Sequence, residues 1–325
     1  MARPIADRAS GRIALLGAAS PAGAHVKSAL ADRGVRGTRV ELYGHQSDVA
    51  VLSEYDGEAR LVQAAGELNA EGCAALFVCE PGHGHDDLVA AAASGTLVID
   101  LTASVPGAVL AGAPGASPSD RLVAIPHPLT TLLGSLLVPI RAAAGLTGVS
   151  AFVLRPASDF GEPGLEELRE QTVRLLRFES TPTDVFGRQL AFNVVPEHLF
   201  PTGEDQAGSR IVHECRSLLG APELPLSLTL ALAPVFYGHA IAVHVATGKP
   251  GRDGVIAALR AAPGVVLAAD EDLGATLDAP DEPGVTVVRV DSAGPSAFSI
   301  WALGSEAGAI AAAGAMTVAA GAGVL

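Results

Sequence analysis

The stretch GRIALLGAASPAG, residues 11–23, begins as a short apolar run, reaches a glycine at Gly17 and ends in a turn of small residues. A short apolar run that stops at glycine is typical of a buried strand, and the amphipathic residues 25–33 that follow predict a helix. The order is therefore strand, tight turn, helix. Such a unit commonly begins a parallel sheet with helices on both faces.

The residues that follow continue this alternation. Apolar runs at 38–43, 74–78 and 96–100 predict three more strands, and residues 87–94 predict a helix between the last two. Because strands alternate with helices, we expect an α/β fold with a Rossmann-like, doubly wound parallel sheet. This first domain is predicted to span residues 1–127.

Longer β-rich runs replace the alternation from about residue 147. They predict an α+β second domain around a mixed sheet, over residues 128–304. The closing segment, residues 305–325, predicts a helix that returns to the first domain, because the parallel sheet there has a face to cover. The runs lie at 148–154, 226–234, 239–246 and 285–291, and predicted helices lie at 164–176 and 210–219.

The charge of the chain limits its partners. Among 325 residues, 35 acidic and 21 basic side chains give a formal net charge of -14. Such a charge repels polyanions, so neither nucleic acid nor an anionic membrane surface is an expected partner. No apolar stretch reaches the roughly 20 residues of a membrane span, and the first ten residues lack the apolar core of a signal peptide. A cytoplasmic location is therefore expected.

Two groups of residues are weighed as metal or redox sites. Cys73, Cys79 and Cys215 show neither metal-ligand nor CxxC spacing, so reduced structural thiols are expected. The loop HGHDD, residues 83–87, carries two histidines and two aspartates. An HxH in one loop without a third, distant ligand is more often a solvated turn, so no metal is predicted.

The turn of residues 17–23 is a candidate nucleotide site, since glycines there let backbone amides approach a pyrophosphate at a helix N-terminus. Ser20 stands where such fingerprints place their middle glycine. Two interpretations stay open: a turn that still binds NADP or NAD, and one that keeps only its structural role. The candidate cofactor-binding residues are Gly17, Ala18, Ser20, Pro21, Ala22 and Gly23, with Ser47 after the second predicted strand.

A set of segments in chain order carries a family resemblance. They are GAASPAG at 17–23, VIDLTA at 98–103, AIPHP at 124–128, GLEELREQT at 164–172, AFNVVPE at 191–197 and APVFYGHAIAV at 233–243. Together they resemble the aspartate-semialdehyde dehydrogenases, and most of all the Usg-like relatives that lack the catalytic cysteine. The resemblance implies an oxidoreductase scaffold of amino-acid biosynthesis, with NADP or NAD as cofactor and a homodimer built on the second domain.

The resemblance also predicts which catalytic groups are present. In that family a cysteine in a PNC(S/T) turn attacks the aldehyde. When IPHPLTT, residues 125–131, is matched to IPNPNCS, Thr130 falls on the cysteine and His127 on the first asparagine. A thiolate is a good nucleophile and leaving group near neutral pH, whereas a hydroxyl has a far higher pKa. The nucleophile is therefore predicted to be absent, while His239 in YGH matches the acid/base histidine.

Other departures affect substrate binding. The family's substrate-carboxylate arginine falls on Leu232, and its phosphate arginine falls on Pro106. The family's lysine before ETxKIL becomes Arg210, and the position of that lysine's acidic neighbour falls near Gly208. Arg155 replaces a glutamine. The candidate substrate-like pocket, with room for a small anionic ligand, comprises Arg155, Ser158, Arg210 and His127.

Three functions remain open at this stage. The first is a non-catalytic family member that acts by assembly, because thiol, carboxylate site and phosphate site are lost together. The second is an oxidoreductase of altered chemistry that uses NAD(P), an anionic small substrate and His239 as base. The third is a sensor that binds a small molecule without turnover.

Overall fold

The computed structural model describes the chain in two compact units. One comprises the described residues up to His127 together with Ala311–Leu325, and the other comprises the described residues of Pro128–Ile310. The described residues are 11–45, 52–70, 72–82, 84–199, 207–249, 251–269 and 274–325. Within them, no helix is both long and apolar enough to cross a membrane.

The first unit contains a parallel sheet of seven strands in the order β5-β2-β1-β6-β7-β9-β8, with a separate β3-β4 hairpin. All described pairings in the seven-stranded sheet are parallel. The strands are β1 Arg12–Leu16, β2 Val40–Gly44, β3 Leu52–Tyr55, β4 Glu58–Leu61, β5 Gln63–Ala64, β6 Cys73–Val78, β7 Leu97–Asp100, β8 Val109–Leu110 and β9 Leu122–Ala124.

Seven helices lie in the described parts of the chain. The first unit holds α1, α2 and most of α7, and the second unit holds the others. The helices are α1 Pro21–Ala31, α2 His85–Ala93, α3 Pro128–Ala144, α4 Gly161–Leu176, α5 Ala207–Leu219, α6 Arg252–Ala261 and α7 Ala307–Gly321.

Side chains of β1 alternate between two cores because successive residues of a strand point to opposite faces. Ile13 and Leu15 pack in the core that includes residues of α1 and α7. Ala14 and Leu16 pack in the core on the α2 side. The sheet is therefore doubly wound as predicted, and the C-terminal helix packs in the first unit.

The second unit is built on a mixed sheet of seven strands in the order β11-β12-β10-β13-β16-β15-β14. This arrangement confirms the predicted α/β fold class with an α+β second domain. The strands are β10 Leu146–Arg155, β11 Val195–Pro196, β12 Leu226–Leu232, β13 His239–Thr247, β14 Val265–Leu267, β15 Val285–Gly294 and β16 Ala297–Gly304.

The two faces of this mixed sheet differ. On one face, Val149, Ala151 and Val153 of β10 join residues of α3, α5 and α6 in a single apolar core. On the other face, Ser150 and Phe152 of the same strand are exposed. The second unit thus buries one face of its sheet under helices and presents the other.

Helix α3 covers a segment for which the sequence analysis predicts no element. The helix begins at Pro128, a position where a missing N–H is harmless, and it continues through Pro139. Its residues Leu132, Leu136 and Ile140 recur at helical spacing and are fully or almost fully buried. Burial of this stripe therefore outweighs the interior proline.

Candidate functional site

The turn between β1 and α1 requires glycine at both of its ends. Gly17 has φ +79°, and a Cβ there would lie 2.5 Å from Cβ of Glu80. A Cβ on Gly23 would lie 2.3 Å from the carbonyl oxygen of Gly17. Both glycines are therefore fixed by local packing, whether or not a nucleotide binds.

Backbone amides of this turn are largely engaged within the protein. The N–H groups of Gly17 and Ala18 both donate to the carbonyl oxygen of Tyr43, at 2.9 and 3.0 Å, and Ser20 N–H donates to Gly17 O at 3.0 Å. Ser20 Oγ caps α1 by accepting from Gly23 N–H at 3.1 Å. Pro21 has no N–H at all. Ala19 and Ala22 thus carry the remaining amides of the turn.

Thr130 lies in the first turn of α3 and is fully buried. Its Oγ1 donates a hydrogen bond of 2.7 Å to Oε2 of Glu214 on α5. The other carboxylate oxygen of Glu214 accepts from Nε of Arg210 at 2.7 Å. The side chain of Glu214 is 6% exposed and that of Arg210 is 33% exposed. We call Thr130, Glu214 and Arg210 the threonine cluster.

His239, the first residue of β13, is fully buried. Its Nδ1 lies 3.0 Å from the carbonyl oxygen of Ser305, and its Nε2 lies 3.2 Å from Oδ2 of Asp159. Nε of Arg155 donates to the same Oδ2 at 2.7 Å. We call Arg155, Asp159 and His239 the histidine cluster.

Both nitrogens of the His239 ring have hydrogen-bond partners within the protein. A carbonyl oxygen can only accept, so Nδ1 of His239 carries a proton towards Ser305. Burial by itself raises the pKa of Asp159, but the charges and hydrogen bonds of His239 and Arg155 outweigh it and hold that pKa well below its usual range. Asp159 is therefore an ionised acceptor that lies against Nε2 of His239. Both ring nitrogens thus face acceptor oxygens within the protein.

Strand β16 contacts both elements that carry His239 and Thr130, which are β13 and α3. His239 pairs with Gly304 across β13 and β16. A Cβ on Gly304 would lie 2.5 Å from Cδ1 of Leu132, two residues beyond Thr130 on α3. A larger residue at this position of β16 would therefore require the Leu132 side chain to shift.

The structure thus gives a position to most of the predicted site residues. Arg155 and His239 lie together in one cluster, and Thr130 and Arg210 in the other. Ser158 is buried in the short 3-10 helix Ala157–Phe160, beside Asp159. His127 is the last residue of the first unit before α3. Ser47 lies outside the described residues.

The sequence analysis does not identify the two acidic residues of the clusters, Glu214 and Asp159. The acidic partner of Arg210 is Glu214, one helical turn later, and not the residue near Gly208 on which the family's acidic position falls. The amide of Gly208 instead donates to Oε1 of Glu197 at 2.8 Å. Arg210 and Glu214 are four residues apart on a predicted helix, and this spacing predicts that their side chains are neighbours. Asp159 had no comparable signal, because its contact with His239 spans 80 residues.

The cysteines and the HGHDD loop were the other candidate redox and metal sites. Cys73, Cys79 and Cys215 are all free and buried. Burial raises the pKa of Cys79 and that of Cys215 to about 12, and it also raises that of Cys73. No group of three or more potential metal ligands occurs among the described residues, and His83 of the HxH loop is not one of these.

A family model described as "Semialdehyde dehydrogenase, dimerisation domain" matches residues 137–305, more than half of the chain. The chain belongs to the semialdehyde dehydrogenase family. Within it the likeness extends both to aspartate-semialdehyde dehydrogenases and to USG-1 homologues, which confirms the resemblance predicted from the sequence segments.

Individual relatives of the semialdehyde dehydrogenase family match over part of the chain. Aspartate-semialdehyde dehydrogenase 2 of Vibrio cholerae is 32% identical over 171 residues, which cover 49% of this chain and 51% of the relative. The USG-1 protein homolog of Azotobacter vinelandii is 34% identical over 158 residues, covering 46% and 44%. The chain therefore spans about half the length of the curated relatives it matches.

Solved structures of the family match over nearly the whole chain. Aspartate semialdehyde dehydrogenase II of Vibrio cholerae, complexed with ASA, has a TM-score of 0.81 at 24% identity and covers 96% of this chain and 97% of that one. The Candida albicans enzyme with NADP has a TM-score of 0.69 at 15% identity, covering 97% and 99%. At these identities the likeness establishes the fold.

Proposed function

We propose that this chain is a non-catalytic member of the semialdehyde dehydrogenase family that acts by assembly as a homodimer. The observation that carries the proposal is the state of Thr130, which the resemblance aligns with the nucleophilic cysteine. Its hydroxyl is fully buried and donates to Glu214. A hydroxyl that donates to a carboxylate within a packed core is not presented to a substrate aldehyde.

No other thiol takes over the role of nucleophile. The sequence has three cysteines, and all three are buried with raised pKa values. A thiol with a pKa of about 12 is almost entirely protonated near pH 7, and the protonated form is a poor nucleophile. Covalent capture of an aldehyde by sulfur therefore has no suitable residue in this chain.

The histidine cluster argues against an altered chemistry that uses His239 as base. A general base needs a free lone pair within reach of the proton it removes. Both nitrogens of His239 face acceptors, Ser305 O and Asp159, and the ring is fully buried. Arg155 is likewise 4% exposed and paired with Asp159, so it is not presented to an anionic substrate.

Assembly is supported by the open face of the mixed sheet. Phe152 of β10 is 39% exposed. Across the sheet it is in register with Thr229 of β12 and Ala242 of β13, and Ala242 is in register with Trp301 of β16. Small and aromatic side chains in one row suit a self-complementary interface. The matched family model is itself described as a dimerisation domain.

An activity assay tests the loss of catalysis. Purified protein is mixed with NADP, aspartate semialdehyde and phosphate, with the Vibrio cholerae relative as positive control, and NADPH is followed by absorbance. We expect no rate above the reagent blank. A rate that Thr130→Ala abolishes would contradict the proposal. The Thr130→Cys variant is also expected to be inactive, because His239 stays engaged with Asp159, and restored turnover would show that only the sulfur was missing.

Light scattering tests the assembly. The chain has a mass of 32.7 kDa, and we expect the native protein to have twice that mass. Phe152→Arg places a charge on the open face and is expected to give monomers. Phe178→Arg is the matched control, since Phe178 is 99% exposed but lies beyond α4 and outside the sheet. A native protein that is monomeric in dilute solution, or a dimer unaffected by Phe152→Arg, would contradict this interface.

A further inference from the structure

The crevice at the carboxyl ends of β1, β2 and β6 is where a doubly wound sheet holds a dinucleotide, with the pyrophosphate at the N-terminus of α1. The semialdehyde dehydrogenase fold therefore implies NADP or NAD in the first unit. Whether these residues fit that cofactor can be judged from the amides and charges around the β1–α1 turn.

Amide donors are the first requirement, and this turn offers few. Four of its amides already donate within the protein: Gly17, Ala18, Ser20 and Gly23. The N1 position of α1 is Pro21, which has no N–H to offer. Among the hydrogen bonds of the described residues, the amides of Ala19 and Ala22 are those left in the turn. A pyrophosphate bound here would lack most of the donors that normally surround it.

Charge is the second requirement, and a carboxylate lies in the crevice. In the sheet, β1 lies between β2 and β6. His45 follows β2 and Glu80 follows β6, and their side chains meet with Nε2 and Oε2 3.6 Å apart. The pair therefore crosses the carboxyl end of β1. A Cβ on Gly17 would lie 2.5 Å from Cβ of Glu80, so Glu80 lies directly against the first glycine of the turn.

Glu80 has the wrong sign for a phosphate site, since an anion beside a pyrophosphate repels it. Partial burial weakens the screening of that repulsion by solvent, and the Glu80 side chain is 33% exposed. On α1, Nζ of Lys27 donates to Ser53 Oγ, so one of the donors of this lysine is already engaged within the protein. Missing donors and an added carboxylate thus act in the same direction.

We infer that the first unit has lost dinucleotide binding, because Ser20, Pro21 and Glu80 together close the pyrophosphate site. The glycines of the turn remain because Gly17 and Gly23 are required by packing alone. This inference is independent of the catalytic proposal, because an enzyme without its thiol can still retain its cofactor. Binding is therefore measured without substrate, so that the two proposals can fail separately.

The first experiment follows the melting temperature of the native chain with up to 5 mM NADP, NAD or adenosine. A ligand that binds only the folded state must raise the melting temperature. We expect no rise with either dinucleotide, whereas the Candida albicans enzyme, whose solved structure contains NADP, serves as a positive control for NADP. A saturable rise at submillimolar NADP or NAD would overturn the inference.

The second experiment restores the missing features. The double variant Pro21→Ala with Glu80→Gln regains one amide and removes the negative charge while keeping the side-chain size. By calorimetry we expect it to bind NAD or NADP at least tenfold more tightly than the native chain, with adenosine binding unchanged. Glu58→Gln, which removes an equal charge from the exposed strand β4, is the matched control. No gain in the double variant, or an equal gain in the control, would overturn the explanation.

Discussion

The second unit holds two carboxylates in similar roles but different surroundings. Asp159 lies between Arg155 and His239, and the side chains of all three members of its cluster are at most 4% exposed. Glu214 lies between a buried hydroxyl and the guanidinium of Arg210, a third of which reaches solvent. The histidine cluster and the threonine cluster therefore differ in how well water can take the place of a side chain that is removed from the carboxylate. Burial should therefore set the size of each mutational effect.

The largest expected effect is that of Asp159→Ala. It leaves Arg155 buried without its counter-charge and His239 without its carboxylate partner, and breaking a buried pair in this way costs about 3–5 kcal/mol of unfolding free energy. The change is measured as a lower urea midpoint at fixed protein concentration. Fluorescence of Trp301 reports on this unit, since it is the only tryptophan.

The control for this variant is an exposed ion pair in the same unit. Glu166 and Arg169 pair on the surface of α4. Because solvent replaces such a partner readily, Glu166→Ala should leave the urea midpoint unchanged. Equal losses in Asp159→Ala and Glu166→Ala would remove the proposed difference between buried and exposed carboxylates.

Acid should weaken the histidine cluster by a smaller, graded amount. The folded-state pKa of Asp159 is depressed, so its stabilisation is fully present above the unfolded-state pKa of about 3.9. It is lost as pH falls from there through the folded-state pKa. We expect the native urea midpoint to fall more steeply between about pH 4 and pH 2 than that of Asp159→Asn. Parallel curves would argue against an ionised Asp159.

Thr130→Val should have an intermediate effect. The substitution keeps the shape but removes the hydroxyl that donates to Glu214, whose carboxylate keeps Arg210 as a partner. Leaving a buried acceptor one donor short costs about 1–3 kcal/mol. Thr130→Ser retains the hydroxyl and should recover most of the loss in urea denaturation. A neutral Thr130→Val would mean that this hydrogen bond contributes nothing to stability.

Arg210→Gln should have the smallest effect of the series. Its side chain is 33% exposed, so water can hydrate the carboxylate of Glu214 when the guanidinium is gone. A loss of about 1 kcal/mol or less is expected, as for other partly exposed pairs. If the urea midpoint fell as far as in Asp159→Ala, exposure would not be what separates the two clusters.

The alternation of strands and helices made the fold of the first unit predictable. Helix α3 was not, because Pro139 inside an apolar run suggests a break, and only the tertiary core shows that Leu132 and Leu136 share a buried face. Strand β16 was missed too, although its buried residues alternate with partly exposed ones over most of its length.

The sequence allowed several residues of the site to be identified, but not which of them contact each other. His239 and Thr130 were identified by resemblance, and the Arg210–Glu214 pair was within reach of helical spacing. Asp159 was not, because no helix was predicted around residues 155–159, so the four-residue spacing of Arg155 and Asp159 carried no meaning there, and His239 lies on a distant strand. The sequence could name the departures from the family pattern, but only the structure shows that Arg155 and Asp159 pair with each other.

Because all three thiols are buried, the rate at which each is alkylated can report local opening of the structure around it. Cys73 and Cys79 lie in the first unit, and Cys215 lies in the second. An alkylating reagent can modify a buried thiol only when the surrounding structure opens. The rates at which the three peptides acquire a label, read by mass spectrometry, therefore give separate opening free energies for the two units without any added probe.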